Sequence, residues 1–108
     1  MNRGDLVRIA MQGDFGKPRP ALVMQADQFA EHASVTILPI TGTRIAAPLL
    51  RVTLRPNIEN GLQKISQVMV DKTMTVRRDK IGPAFGRIDA DAMVEIERCL
   101  AVFLGIAK

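Results

Sequence analysis

Arg19 lies between two prolines, Pro18 and Pro20, and an apolar run from Ala21 to Met24 follows directly. An uninterrupted apolar run of this length is typical of a central strand that is covered on both faces. Pro20 restricts Arg19 to extended backbone conformations, and neither proline has an N–H group to donate to a sheet. The sequence therefore predicts a buried strand that begins at an edge, a bulge or a rim, with Arg19 at that position.

Arg19 has two interpretations. In the first, it is a solvated charge at the end of a loop, as most surface arginines are. In the second, the stiff backbone around it presents a planar guanidinium with five donors to a phosphate or to a phosphorane transition state. The neighbours of Arg19 in the fold decide between these two interpretations.

A third strand is predicted over residues 34–41, SVTILPIT, with Pro39 near its end. If the second and third strands pair antiparallel, as the short connection between them allows, the start of one lies beside the end of the other. Thr41 then lies next to Arg19. A threonine at a strand end is commonly a β former whose hydroxyl contacts water, but beside an arginine at a rim it is a candidate donor to a phosphate oxygen.

The length of the chain, 108 residues of which 47% are apolar, is sufficient for one domain over residues 1–108 with its own core. Cys99 is the only cysteine, which excludes an internal disulfide and is typical of a cytosolic protein. No segment reaches the roughly 18 consecutive apolar residues of a membrane span. We therefore expect a soluble, cytoplasmic protein.

The formal net charge is +4, and the charge is unevenly distributed. Residues 1–88 contain 13 Lys and Arg against 7 Asp and Glu, whereas residues 89–108 contain 2 against 4. A basic body of this kind indicates an acidic partner such as a nucleic acid, although a basic surface can also serve solubility alone. The chain has no Trp or Tyr and only four Phe, which argues against the broad base-stacking platforms of many RNA-binding domains.

The rest of the chain reads mainly as strands with one helix. Alternating apolar residues predict strands over residues 5–11 and 49–55, and two further short strands are predicted over residues 65–70 and 73–78. The glycines and proline of residues 82–86 are expected to interrupt regular structure. The sequence thus predicts a small, strongly curved antiparallel sheet or barrel.

The C-terminal segment predicts a helix that closes this sheet. Asp89 is a suitable N-cap, and Gly105 is a suitable stop. An apolar stripe at helical spacing indicates a face for the core or for an interface; its members are Met93, Ile96, Leu100, Phe103 and Leu104. Cys99 on the same helix is interpreted as a small buried apolar residue rather than a nucleophile.

Most catalytic patterns are absent from the sequence. There is no phosphate-binding glycine loop, no HExxH and no Cys/His metal cluster, and His32 is the only histidine. An enzyme of this composition uses Arg, Thr, Asp or Lys without a metal or another cofactor. RNA cleavage suits such a set because the 2′-hydroxyl is already a nucleophile within the substrate, which the protein has only to align while it stabilises charge on phosphorus.

Four stretches carry a resemblance to a known family. They are RGDLV at 3–7, KPRPALVMQADQF at 17–29, PIT at 39–41 and SQVMVDKTMTVRRDKIG at 66–82. With these motifs the chain resembles the MazF/PemK family of toxin endoribonucleases over nearly its whole length.

The resemblance implies an SH3-like small barrel of the CcdB/PemK toxin type with a C-terminal helix. It also implies a homodimer, a cognate acidic antitoxin that occupies the RNA groove, and metal-independent cleavage of single-stranded RNA, messenger RNA in particular. In the family, the arginine matched by Arg19 is taken as a catalytic acid or base or as a charge stabiliser, and the threonine matched by Thr41 holds the scissile phosphate. Asp71 matches an aspartate that some PemK-like members use as catalytic support.

Two features depart from the family pattern. Those same members have an arginine two residues before the aspartate, where this chain has Met69, so that help in proton transfer is missing. The loop before the second strand lacks their usual glutamate or histidine and leaves Asp14 and Lys17 as substitutes. The residues expected to line the RNA path are Lys17, Thr43, Arg44, Lys72 and Arg77.

Two other functions use the same scaffold. A non-catalytic toxin related to CcdB would grip a protein target such as DNA gyrase through the end of the C-terminal helix, residues 104–108. A nucleic-acid binder without activity would show salt-dependent RNA affinity and no cleavage.

Overall fold

The computed structural model describes residues 1–10 and 17–107, which form seven strands and one α-helix. The strands are β1 (Asp5–Ala10), β2 (Pro18–Val23), β3 (Ser34–Thr41), β4 (Arg51–Leu54), β5 (Ser66–Met69), β6 (Met74–Arg77) and β7 (Ile81–Arg87), and the helix is α1 (Ala90–Phe103). Short 3-10 turns lie at Asp27–Phe29, Val70–Lys72 and Arg78–Lys80. The predicted mainly β fold with a C-terminal helix is confirmed.

The strands pair antiparallel in the order β4-β5-β3-β2-β1-β7, and β6 pairs with β3 outside this order. β3 is the central strand because it pairs with β2 and also with both β5 and β6. Residues Ser34–Ile37 pair with β6, whereas Ile40 and Thr41 pair with β5. The turn Val70–Lys72 separates β5 from β6, so the sheet divides and bends along β3.

Alternate residues of β1, β2 and β3 enter two apolar clusters on opposite faces of the sheet. The first cluster includes Leu6, Leu22, Leu38, Ile40, Val52, Val68, Val70, Ile96 and Cys99. The second consists of Val7, Ile9, Ala21, Val23, Val35 and Ile37. Because β2 contributes to both clusters, it is the doubly covered strand that its apolar run predicts.

Helix α1 begins and ends where the sequence predicts. The carboxylate of Asp89 accepts a hydrogen bond of 2.8 Å from the N–H of Ala92, and Gly105 adopts a φ of 77° just after the helix. Ile96 and Cys99 are buried in the first cluster, but Phe103 and Leu104 are 48% and 54% exposed. The C-terminal turn of the apolar stripe is therefore not covered by this chain.

The structure corrects the prediction for residues 82–86, which lie inside a continuous strand, β7. Val7 lies opposite Ala84 and Ile9 lies opposite Ile81, so two positions along β1 correspond to three along β7. The extra residue of β7 forms a β-bulge that contains Pro83. A proline is tolerated there because a bulge leaves ladder positions unpaired. A Cβ at Gly86 would lie 2.0 Å from the carbonyl oxygen of Asn60, so that glycine permits a close backbone approach and does not form a turn.

The first strand also differs from its predicted form. The alternation in the sequence predicts that Val7 and Ile9 face inward and Leu6 faces outward, yet Leu6 is fully buried because it packs in the first cluster while Val7 and Ile9 pack in the second. Met11 and Asp14 lie outside the described residues. Asp14 is the acidic residue expected to act as a substitute in the loop before β2.

The helices within the described ranges are too short or too polar to cross a membrane.

Candidate functional site

A groove of about 600 Å³ lies at the C-terminal end of β3. Its described lining consists of Arg19, Pro39, Ile40, Thr41, Thr43, Met69, Lys72 and Met74. Four of these residues, namely Arg19, Thr41, Thr43 and Lys72, are candidates that the sequence identified. The groove therefore brings together half of the predicted site in one open concavity.

The register of β2 against β3 explains why Arg19 and Thr41 meet. Ala21 lies opposite Pro39 in the last pair of this ladder, and if the same register is continued for two residues, Arg19 falls opposite Thr41. On its other side Arg19 pairs with Ile9 of β1. Because neighbouring strands are about 4.7–4.9 Å apart, we expect both side chains to reach a single phosphate group.

The Thr41 hydroxyl is held in a defined position. Its oxygen accepts a hydrogen bond of 3.1 Å from the backbone N–H of Thr43, which closes a tight turn over Gly42. A hydroxyl that accepts one hydrogen bond can still donate its own hydrogen. Thr41 can thus donate to an anion in the groove while its position is set by the main chain.

The floor of the groove is apolar, and its wall is basic. Pro39, Ile40, Met69 and Met74 supply the apolar surface, and Lys72 follows Met69 by one short 3-10 turn. No carboxylate is present in the lining given by residues 1–10 and 17–107. A ligand with a flat apolar group and a negative charge, such as a nucleotide, matches this combination.

Asp71 does not line this groove. Its carboxylate forms an ion pair with Arg51, and the two side chains are only 20% and 11% exposed. Arg51 lies on β4 directly opposite Met69 of β5, and a guanidinium N–H also donates to the carbonyl of Leu50. The pair therefore attaches the turn that carries Lys72 to the neighbouring strand.

Sequence reasoning missed Arg51 as the partner of Asp71. The signal was present in the alternation of residues 49–55, which places Arg51 on the outer face of its strand. What the sequence lacked was the pairing of β4 with β5, since the two residues are 20 positions apart. Thus the position held by Met69 has a guanidinium beside it that comes from another strand.

The other candidates for the RNA path are more scattered. Lys17 is exposed directly before β2, and Arg44 is exposed in the loop after Thr43, but neither lines the groove. Arg77 lies at the far end of β6 and forms an exposed ion pair of 2.6 Å with Asp79. The structure separates Arg77 from the groove by the length of β6.

The remaining titratable candidates lie away from the groove. Within residues 1–10 and 17–107, no group of three or more His, Cys, Asp or Glu side chains could hold a metal ion. His32 is exposed, as its interpretation as a surface residue predicts. Burial, and then the neighbouring Glu95 carboxylate, raise the pKa of the Cys99 thiol, which is consistent with a buried apolar role.

Comparisons with known proteins agree with the fold. Residues 2–104 match the family model described as PemK-like, MazF-like toxin of type II toxin-antitoxin system. The chain is 44% identical to a probable endoribonuclease MazF from Mycolicibacterium smegmatis, over 99% of this chain and 99% of that protein.

Solved structures show the same fold. An endoribonuclease from a mycobacterial species, in complex with its cognate antitoxin, is similar with a TM-score of 0.81 and 24% identity, over 100% of this chain and 98% of that chain. A MazE-MazF structure from Deinococcus radiodurans is similar with a TM-score of 0.79 and 24% identity, over 99% and 97%. At these identities the structures show a shared architecture.

Proposed function

The chain belongs to the family of PemK-like, MazF-like toxins of type II toxin-antitoxin systems, and we propose that this endoribonuclease cleaves single-stranded RNA without a metal ion. Messenger RNA is the expected substrate, cut at short sequence motifs. The observation that carries the proposal is the presence of Arg19 and Thr41 in one open groove, on neighbouring strands.

The proposed reaction is an in-line displacement within the RNA. The 2′-hydroxyl loses its proton as its oxygen bonds to the adjacent phosphorus, and the bond from phosphorus to the 5′-oxygen breaks. The 5′-oxygen takes up a proton, which leaves a 2′,3′-cyclic phosphate on one fragment and a 5′-hydroxyl on the other. Negative charge accumulates on the phosphoryl oxygens along this path, so cationic and hydrogen-bonding groups in the groove lower the barrier.

Arg19 and Thr41 divide this work. The Arg19 guanidinium stabilises the phosphorane charge, and its extended backbone before Pro20 limits the conformations that it must give up on binding. The Thr41 hydroxyl donates to a phosphoryl oxygen and fixes the scissile phosphate. Each contact of this kind contributes roughly 10²-fold to 10³-fold in rate when the group is placed in advance.

The rest of the groove binds RNA on either side of the cut. Thr43 and Lys72 line the groove and contact the sugar-phosphate backbone of the RNA. The basic surface extends beyond the groove through Lys17, Arg44 and Arg77. The apolar floor at Met69 and Met74 supports a base. We assign Asp71 a supporting role through Arg51, because this pair fixes the turn that carries Lys72.

We infer three further properties from the family. The partner is a cognate acidic antitoxin whose chain covers the basic groove; the complexes of the endoribonuclease from a mycobacterial species and of MazE-MazF support this inference. The toxin is a homodimer, and the exposed apolar side chains of Val102, Phe103 and Leu104 supply surface that a second chain could cover. It acts in the cytoplasm, where messenger RNA is translated.

The family assignment does not favour the alternative of a CcdB-like toxin that inhibits a protein target such as gyrase. The two classes separate by mutation. If the protein is a gyrase-type toxin, changes in residues 104–108 restore growth and a change at Arg19 does not. If it is the endoribonuclease, a change at Arg19 restores growth.

The direct test uses purified protein, a mixed single-stranded RNA and EDTA. We expect cleavage to continue in EDTA and to yield 2′,3′-cyclic phosphate and 5′-hydroxyl ends, and Arg19→Ala to lower the rate by about 10³-fold. Arg98→Ala is the matched control, because Arg98 is an exposed arginine on α1 that pairs only with Glu95 at 3.3 Å among the described ion pairs. Wild-type cleavage by Arg19→Ala, or loss of activity in EDTA, would overturn the mechanism.

A further inference from the structure

Gln67 is a buried polar residue next to the groove, and it is not among the residues named so far for the reaction. It lies on β5, directly opposite Thr41 of β3 on one side and Thr53 of β4 on the other. Its residue surface is only 6% exposed. A buried carboxamide requires hydrogen-bond partners for both of its ends, because an unpaired polar group in the interior is costly.

Both ends of the carboxamide bind the main chain of one residue, Ile45. The Oε1 of Gln67 accepts from the Ile45 N–H at 3.0 Å, and its Nε2 donates to the Ile45 carbonyl at 3.1 Å. The same Nε2 also donates to the Thr53 hydroxyl at 3.2 Å. A carboxamide offers the donor and acceptor of a peptide group, so Gln67 holds Ile45 as a neighbouring strand would.

This contact fixes the far end of a short loop that borders the groove, which we call the rim loop, residues 42–45. Its near end is fixed by the Thr41 hydroxyl, which accepts from the Thr43 N–H. The loop is exposed, and Ile45 itself is 49% exposed, so apolar packing contributes little to its order. Hydrogen bonds at its two ends therefore set its conformation.

We propose that Gln67 is a positioning residue for the reaction: it clamps the rim loop so that Thr41 and Thr43 face the RNA in a fixed geometry. The inference rests on the proposed function for its consequence in catalysis. Without the clamp, residues 42–45 sample many conformations, and the Thr43 N–H no longer holds the Thr41 hydroxyl in one position. The conformational entropy is then lost when the transition state forms, which lowers kcat.

The role is distinct from a contribution to the core alone. The residue of β5 that belongs to the first cluster is Val68, which is fully buried, whereas Gln67 lies on the opposite face of the strand. Gln67→Met keeps the length and apolar stem of the side chain and removes both bonds to Ile45. Thr53→Val is the matched control, since it removes the third bond of Gln67 and leaves the bonds to Ile45 in place.

The first measurement is hydrogen exchange at the Ile45 amide, which needs no catalytic activity. We expect the Ile45 amide to be protected in the full-length wild-type protein and in Thr53→Val, and to exchange at least about tenfold faster in Gln67→Met. Equal exchange in Gln67→Met and the wild type overturns the clamp, whether or not the protein cleaves RNA. This measurement separates a failure of the inference from a failure of the proposed function.

The second measurement is cleavage of a single-stranded RNA. We expect kcat to fall about 10-fold to 100-fold in Gln67→Met with KM changed less than about threefold, because Arg19 and Lys72 still attract the phosphates. Gln67→Glu, which keeps the acceptor for the Ile45 N–H, is expected to lose less activity and serves if Gln67→Met does not fold. Wild-type kcat in the folded Gln67 variants, or an equal loss in Thr53→Val, would overturn the positioning role.

Discussion

The two ends of β3 are both rich in cationic side chains but differ in what those cations contact. At the C-terminal end, Arg19 and Lys72 border a groove with an apolar floor, and the described lining contains no carboxylate. At the N-terminal end, a cavity of about 550 Å³ is lined by Arg77, Arg78 and Asp79. Cations therefore lie beside apolar surface at one end and beside a carboxylate of the same chain at the other.

The contacts at the N-terminal end are specific. Arg77 pairs with Asp79, and Arg78 donates to the backbone carbonyl of Ala30 and lies 3.8 Å from the Glu31 carboxylate. Exposed pairs of this kind contribute little to stability, but they reduce the local positive potential and compete with a phosphate for the same donors. We therefore expect Arg77 and Arg78 to contribute less to RNA binding than their charges alone suggest.

Among the variants that compare the two ends of β3, the largest effect is expected at the Thr41 hydroxyl. Thr41→Val keeps the shape of the side chain and should lower kcat for RNA cleavage by roughly 10²-fold, because the phosphoryl oxygen loses a donor. Ser34→Ala at the opposite end of β3 is the control and should change kcat less than about twofold. Equal activity of Thr41→Val and the wild type would remove the distinction between the ends.

The next effect concerns the turn between β5 and β6, which lies between the two ends. Arg51→Met and Asp71→Asn should each lower the free energy of unfolding by about 2 kcal/mol, because each leaves a half-buried partner without its counter-charge. The double variant should lose little more than either single one, as measured by urea unfolding. Strict additivity in this double-mutant cycle would show that the two residues act independently.

A smaller effect is expected on binding. Lys72→Ala should raise KM for RNA by about tenfold and reduce the salt dependence of binding by roughly one phosphate contact. Arg77→Ala should raise KM less than about twofold, because the nearby Asp79 already partners its guanidinium. Titration of RNA binding at several salt concentrations tests this, and a larger loss for Arg77→Ala than for Lys72→Ala would reverse the comparison.

The smallest effect is expected on the pH dependence of the unfolding free energy, through Cys99 on α1 and away from both ends of β3. The raised pKa of Cys99 means that the folded protein favours the neutral thiol, so this contribution to stability is complete below the ordinary pKa of 9.0 and is lost as the pH rises through and above it. Cys99→Ala should flatten the fall in unfolding free energy between about pH 8 and about pH 10. An unchanged slope in that variant would assign the fall to other groups.

Particular elements show how far the sequence predicts this fold. The bounds of the third strand, the cap at Asp89 and the stop at Gly105 are as the sequence predicts, because each depends on neighbours in the chain. The prediction that residues 82–86 interrupt regular structure was wrong. The bulge at Pro83 and the close backbone approach at Gly86 depend on β1 and on Asn60, which are distant in sequence. Local signals of glycine and proline do not separate a turn from a bulge.

The candidate site likewise contains one contact that the sequence predicts and others that it does not. The pairing of β2 with β3 follows from a short connection, and so the sequence could place Thr41 beside Arg19. It could not identify the partner of Asp71 or the contact of Gln67 with Ile45, which lie 20 and 22 positions apart along the chain. The Arg51–Asp71 contact depends on the pairing of β4 with β5, and the Gln67–Ile45 contact depends on the pairing of β5 with β3.

The sequence by itself determined the doubly covered strand β2 with Arg19 at its start, the C-terminal helix and the set of residues proposed to act on a phosphate. These features follow from proline geometry, hydrophobic periodicity and the charges of single residues, all of which act over a few positions. Only the tertiary structure decided which cations line the groove and which described carboxylates pair with Arg51, Arg77 and Arg78. That decision depends on long-range strand pairing, because electrostatic and hydrogen-bonding partners are selected by distance in space and not by distance in sequence.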